Sequence, residues 1–283
     1  MAERLLGQSY RLHVFDPAPA AMERFTAGGA VAHASARAVA DAASIVFACL
    51  PGREISLATA FGPDGVEHGS AIRVYVEMST MGKDTIEQIA KALLEKGIET
   101  LDAPITGGPP AARAGTLAML VSGAPAAVEI ARPLLVRIGK DIYPMGDRPG
   151  LAQIMKIVNN LIMAANTIVS SEGLVMGAKA GLDADMMMRV LKAGSGQSFA
   201  GCEVLRRAVA GAFDFGAALS ILDKDVTLGL REAALLKIDM PVIDQARQVW
   251  HAAYEAGHGS EDFSAILKVI EEKNSTLVRG QAA

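Results

Sequence analysis

The stretch "QIMKIVNN", residues 153–160, sets a lysine and an amide four positions apart. On a helix that spacing puts Lys156 and Asn160 on one face, which Met163 and Thr167 extend. An ammonium and a carboxamide within an otherwise apolar helix are expensive to bury unless both find partners. Held beside a substrate oxygen, the ammonium can donate a proton as a hydride reaches the neighbouring carbon, and take it back in reverse. The amide can fix the substrate's orientation. The same pair also suits a purely structural arrangement, with the lysine reaching to solvent and the asparagine capping a loop.

A second candidate lies in "LDAPITGGPPAARAGTLAMLVSG", residues 101–123. A strand ends near Pro104, the loop Thr106-Gly107-Gly108 follows, and another strand starts near Leu117. Adjacent glycines let backbone N–H groups approach an anion, and Thr106 adds a hydroxyl, so this loop suits a carboxylate. It equally suits a wide hairpin that needs glycine for its turns. Lys224, in "ILDKDVTLGL" (221–230), sits between two carboxylates, a pattern typical of a solvated, ion-paired helix face. None of the five histidines is spaced as a metal-ligand pair, and no metal is expected.

The elements that must position these residues fall into two regimes. Up to about Pro144, short apolar runs alternate with helical stretches. Strands are predicted at 11–15, 30–33, 44–50, 72–78, 98–103, 117–122 and 141–144, with a helix over 84–96 among those between them. Such alternation argues for a mostly parallel sheet covered on both faces. After Gly150 the strand signal ends. A helix is predicted over 151–180, stopped by Gly181, and others over 183–193, 198–211, 217–237, 241–256 and 262–273. The predicted organisation is an α/β domain over 1–148 and an all-α domain over 149–283.

Composition excludes other classes. Half the residues (51%) are hydrophobic, the formal charge is −4, and no block of Lys or Arg offers the footprint a nucleic acid needs. The two cysteines, Cys49 and Cys202, match no ligand spacing and read as thiols of a reducing, cytoplasmic compartment. Arg4 and Arg11 interrupt any signal-peptide core. The apolar stretch 151–180 carries Lys156, Asn159, Asn160, Asn166, Ser170, Ser171 and Glu172, which hydrocarbon would penalise, so a helix of a soluble protein is expected rather than a membrane span.

Taken in order, "FDPAP", "CLPG" (49–52), "MST" (78–80), the 102–123 block, "KIVNN", "AGSGQS" (193–198), "LDKD" (222–225) and "EDFSAI" (261–266) resemble the β-hydroxyacid dehydrogenases. That family includes 3-hydroxyisobutyrate dehydrogenase and tartronate semialdehyde reductase and is related to 6-phosphogluconate dehydrogenase. The resemblance runs from Met1 to about Leu267. It implies a doubly wound Rossmann-type sheet followed by an all-α, 6-phosphogluconate-dehydrogenase-like domain that builds homodimers or homotetramers.

The resemblance also implies roles. Lys156 is the general acid and base, Asn160 holds the substrate, and Thr106, Gly107 and Gly108 bind its carboxylate, with Thr where the family usually has Ser. Leu50, Pro51 and Thr80 line the cofactor, and Lys224 lies near its nicotinamide end. The lysine at 156 argues against the related imine reductases. The implied reaction interconverts a small 3-hydroxy acid and its semialdehyde, with tartronate semialdehyde, L-threonate and succinic semialdehyde chemistry as alternatives.

Asp16 closes the strand at 11–15, where a carboxylate accepts hydrogen bonds from both ribose hydroxyls of NAD and repels the extra phosphate of NADP. NADP-using relatives tend to carry Asn-Arg there, so Asp-Pro favours NAD. A strand and GxGxxG turn belong about twenty residues before such an acid, and counting back from Asp16 passes Met1. The expectation is therefore an N-terminally truncated sheet, from a start assigned too far downstream or from a chain truly shortened. In the second case a non-catalytic oligomeric scaffold is the competing reading.

Overall fold

A computed structural model describes residues 1–7 and 9–280. The chain divides into two compact units, Met1–Lys156 and Ile157–Ala283.

After a 3-10 turn at Ala2–Leu5, the first unit runs β1 (His13–Val14), α1 (Pro19–Ala27), β2 (Val31–Ala32), α2 (Ala36–Ala42), β3 (Ile45–Ala48), α3 (Arg53–Phe61), β4 (Val74–Glu77), α4 (Lys83–Glu95), β5 (Glu99–Asp102), β6 (Ile105–Thr106), α5 (Gly108–Ala114), β7 (Leu117–Ser122), α6 (Pro125–Ile138) and β8 (Gly139–Gly146). β3, β4 and β5 are parallel and continue into β7, which is antiparallel to β5 and β6 and parallel to β8. β1 and β2 pair in parallel as a sheet of their own.

β4 explains why helices cover both faces of this sheet. All four of its residues are buried: Val74 and Val76 pack with Ala127, Ala131, Leu135 and Ile138 of α6, while Tyr75 packs with Ile86, Ile89 and Leu93 of α4. The three apolar residues of α4 fall at i, i+3 and i+7, the spacing of a one-faced amphipathic helix. Each contributes roughly 1.5–3 kcal/mol on burial.

α7 (Leu151–Lys179) carries the chain from the first unit into the second. There follow α8 (Ala184–Ala193), a π-helical turn at Ala200–Val204, α9 (Leu205–Val209), α10 (Leu219–Leu235), α11 (Pro241–Glu255) and α12 (Ile266–Asn274). Their core gathers around Trp250 and Phe263, and the Trp250 indole N–H donates to the Ala164 carbonyl of α7.

By length and composition α7 could cross a bilayer. Its buried polar side chains are nonetheless partnered: Gln153 and Asn160 by side-chain and loop groups, Thr167 and Ser171 by backbone carbonyls four residues earlier. A different face of α7 is exposed and apolar, carrying Leu151, Met155, Val158, Ile162, Val169 and Met176.

Candidate active site

In open parallel sheets, ligands sit beyond the carboxyl ends of the strands. Asp16 follows β1 there, Leu50 and Pro51 follow β3, and Thr80 follows β4. Asp16 is exposed, and its Oδ1 accepts the Ala18 N–H at 2.8 Å, a tight turn that steers the chain into α1. The Leu50 N–H donates to Ser79 Oγ at 2.7 Å, tying the loop after β3 to the loop after β4. Below it the buried Glu77 accepts the Ser79 N–H and the Tyr75 hydroxyl, both at 2.9 Å. Burial raises the Glu77 carboxyl above its ordinary range. Burial and the facing carboxylate push the Tyr75 phenol well above its own. At Gly52, which starts α3, a Cβ would meet nothing within 4 Å, so that backbone is open to a ligand. An exposed acceptor at Asp16 and open backbone at Gly52 fit the ribose and phosphate sides of a dinucleotide.

Thr106 ends β6, paired opposite Ala118 of β7, and is half-buried. Gly107 (φ 124°) and Gly108 (φ 69°) both have backbone that favours glycine, and a Cβ on Gly107 would come within 2.7 Å of the Ala111 Cβ. The turn leads from strand to helix, not into a simple hairpin. α5, which the sequence reading passed over, forms because its prolines stand in the first turn, where no intrahelical N–H is needed.

Lys156 is half-buried on α7 and Asn160 is buried one turn on. The Asn160 amide Nδ2 donates to Asp225 Oδ2 of α10 at 2.6 Å, while its Oδ1 accepts from Asn159 Nδ2 at 3.0 Å. Lys224 Nζ lies 3.0 Å from Asp225 Oδ1, so Asn160 and Lys224 meet through one carboxylate whose side chain is 3% exposed. The helix face at 222–225 is therefore not simply solvated, because Asp225 turns inward. Sequence reasoning also missed Gln153 and Asp102. The buried Gln153 Nε2 donates to Asp102 Oδ1 at 2.8 Å and to the Ser79 carbonyl at 2.9 Å. Burial raises the Asp102 carboxyl to about 6 against the pull of its hydrogen bonds.

Residues 1–146 match the family described as the NAD binding domain of 6-phosphogluconate dehydrogenase. Residues 150–270 match the family described as NAD-binding of NADP-dependent 3-hydroxyisobutyrate dehydrogenase. The chain belongs to the β-hydroxyacid dehydrogenase family. It is 35% identical over 282 residues to 2-(hydroxymethyl)glutarate dehydrogenase of Eubacterium barkeri, covering 99% of this chain and 93% of that one. It is 32% identical over 284 residues to 3-hydroxyisobutyrate dehydrogenase of Pseudomonas aeruginosa, covering 97% and 95%. Among solved structures, the complex of Psf3 with NADP+ and 2-OPP superposes with a TM-score of 0.86 at 27% identity, covering 94% of each chain. As a β-hydroxyacid dehydrogenase the protein is an NAD(P)-dependent hydroxyacid oxidoreductase.

Proposed function

We propose that this dehydrogenase oxidises a 2-substituted 3-hydroxypropionate, of the 3-hydroxyisobutyrate type, to its semialdehyde and runs the reverse reduction, with NAD as the preferred cofactor. The observation that carries this reading is the Asn160 amide, buried and fixed by Asp225 one turn from Lys156. An amide with a set orientation can present the hydroxyl-bearing carbon in one pose. Two relatives, named for 3-hydroxyisobutyrate and 2-(hydroxymethyl)glutarate, point to substrates that share a hydroxymethyl group on the carbon bearing the carboxylate.

In this reading Lys156 removes the substrate hydroxyl proton during oxidation and returns it during reduction. Thr106 Oγ and the backbone of Gly107 and Gly108 hold the carboxylate. The bound cofactor supplies the acceptor for the hydride leaving the carbon. Asp16 accepts from the ribose hydroxyls, its negative charge disfavouring a 2′-phosphate, and Leu50, Pro51 and Thr80 line the rest of the cofactor.

The chain's negative formal charge and its two free cysteines support a cytoplasmic protein that binds neither nucleic acid nor membrane. The largely apolar outer stripe of α7 supports a homodimer or homotetramer, because patches of that kind mark protein contacts.

The test compares initial rates on 3-hydroxyisobutyrate, 2-(hydroxymethyl)glutarate, L-threonate and the reduction of tartronate semialdehyde, each with NAD(H) and NADP(H). Lys156→Ala is expected to abolish turnover while leaving NADH binding, read by fluorescence quenching, largely intact. Unchanged turnover in that variant overturns the proposal.

A further inference from the structure

The first turn of α7 is held by side chains at the ends of two strands and by the backbone of one loop. Asp102, the last residue of β5, accepts the N–H groups of Gly150 and Gln153 on Oδ2, both at 3.0 Å. Ser122, the last residue of β7, donates from Oγ to the same Oδ2 at 3.2 Å and accepts the Ala152 N–H at 3.2 Å. The N–H groups at a helix start lack intrahelical acceptors, so a carboxylate and a hydroxyl from two strand ends serve here as a cap distant in sequence. Gln153 then reaches the loop after β4: its Oε1 accepts the Met81 and Gly82 N–H groups at 2.9 and 3.2 Å. Its Nε2 donates to Asp102 and to the Ser79 carbonyl. All four hydrogen-bonding positions of the amide are filled. Turning it over would set NH2 against two N–H groups and oxygen against a carbonyl and a carboxylate.

We propose that Gln153 and Asp102 are a positioning pair, which locks the rotation and height of the α7 start against the loop holding Thr80 and against the strand that leads into Thr106. Apolar packing alone would let the helix slide or turn by small amounts. A saturated buried polar network admits one arrangement. Lys156 is three residues beyond Gln153, about 4.5 Å along the axis, so the lock fixes where its side chain starts. Asp102 likewise fixes the chain four residues before Thr106. This inference rests on the reading of Lys156 as proton carrier, and its test separates the two.

Gln153→Met keeps the side chain's length and removes all four hydrogen bonds. It is expected to lower kcat about 10- to 100-fold, with KM and the NADH Kd changed by less than about threefold. Asp102→Asn turns an acceptor into a donor facing Gln153 Nε2. Hydrogen exchange should then show the Met81 and Gly82 amides, which Asp102 does not touch, exchanging about tenfold faster in a protein that still unfolds cooperatively. Ser122→Ala is the milder variant and should speed exchange at Ala152 and Gly150 without unfolding the chain.

If the Met81 and Gly82 amides stay protected in Asp102→Asn, the coupling is refuted, whatever the activity. If Gln153→Met keeps its kcat while Lys156→Ala abolishes turnover, the positioning role falls and the lysine's role stands. If Lys156→Ala keeps turnover, the lysine reading falls, and the exchange experiment still decides whether the lock exists.

Discussion

Asp225→Ala tests whether one carboxylate organises the Asn160 side of the site. The substitution leaves the Asn160 amide N–H without its 2.6 Å acceptor in a buried position, which costs ~1–3 kcal/mol. Loss of the ion pair adds little, ~0–1 kcal/mol, because Lys224 is 38% exposed and can be solvated in place. The sum is about 1–4 kcal/mol, or roughly 4–15 °C in the melting temperature of a unit this size. An unpinned amide should also lower kcat about tenfold, since the substrate is then held in more than one pose. Asp225→Asn keeps the side chain's shape and one acceptor, and should cost only ~1 kcal/mol. Calorimetry and initial rates on the three proteins give the answer. A melting temperature for Asp225→Ala within about 2 °C of wild type, with an unchanged kcat, would refute the reasoning.

Two further predictions concern packing and pH. Gly229 of α10 faces Leu161 of α7, whose Cδ2 would be 2.6 Å from an added Cβ, so Gly229→Ala should destabilise by ~1–3 kcal/mol; wild-type stability in urea would refute the close approach. The Asp102 carboxyl stands near 6 in the folded protein against 3.8 for an unburied aspartate. Its contribution to stability is therefore fully present below pH 3.8 and declines as pH rises towards 6. The total is ~3 kcal/mol, at ~1.4 kcal/mol for each of about two pH units. Glu77 shifts the same way and persists in Asp102→Asn, so the difference between wild-type and variant stability curves isolates Asp102. A difference that stays flat from pH 4 to 6.5 would sink that assignment.

Local patterning made most elements readable in the sequence. The strand predicted at 117–122 runs Leu117–Ser122, the helix predicted over 84–96 runs Lys83–Glu95, and the one predicted over 151–180 runs Leu151–Lys179. The helix expected over 198–211 forms, with a π-helical turn at Ala200–Val204 leading into α9. Close packing is visible there: a Cβ on Gly201 would lie 2.9 Å from Ser170 Oγ, a constraint from a residue 31 positions away that no local pattern encodes. Lys156 and Asn160 were legible because helical spacing alone puts them on one face. Gln153, Asp102 and Asp225 were not, since each has a partner 51 or more residues distant. Asp225 in particular sits in a run of charges that reads as wet, and only the packing of α10 turns it inward.

The outer stripe of α7 also constrains how two copies could meet. Leu151, Met155, Val158, Ile162, Val169 and Met176 follow steps of four, three, four, seven and seven, a heptad rhythm. Such a rhythm lags slightly behind the 3.6-residue turn, so two helices joined along it coil about each other left-handedly, crossing at roughly 20°. Glu172 occupies one of the seam positions of that rhythm and is exposed. In an antiparallel pair the two copies of this glutamate would lie towards opposite ends of the seam, so their charges stay apart.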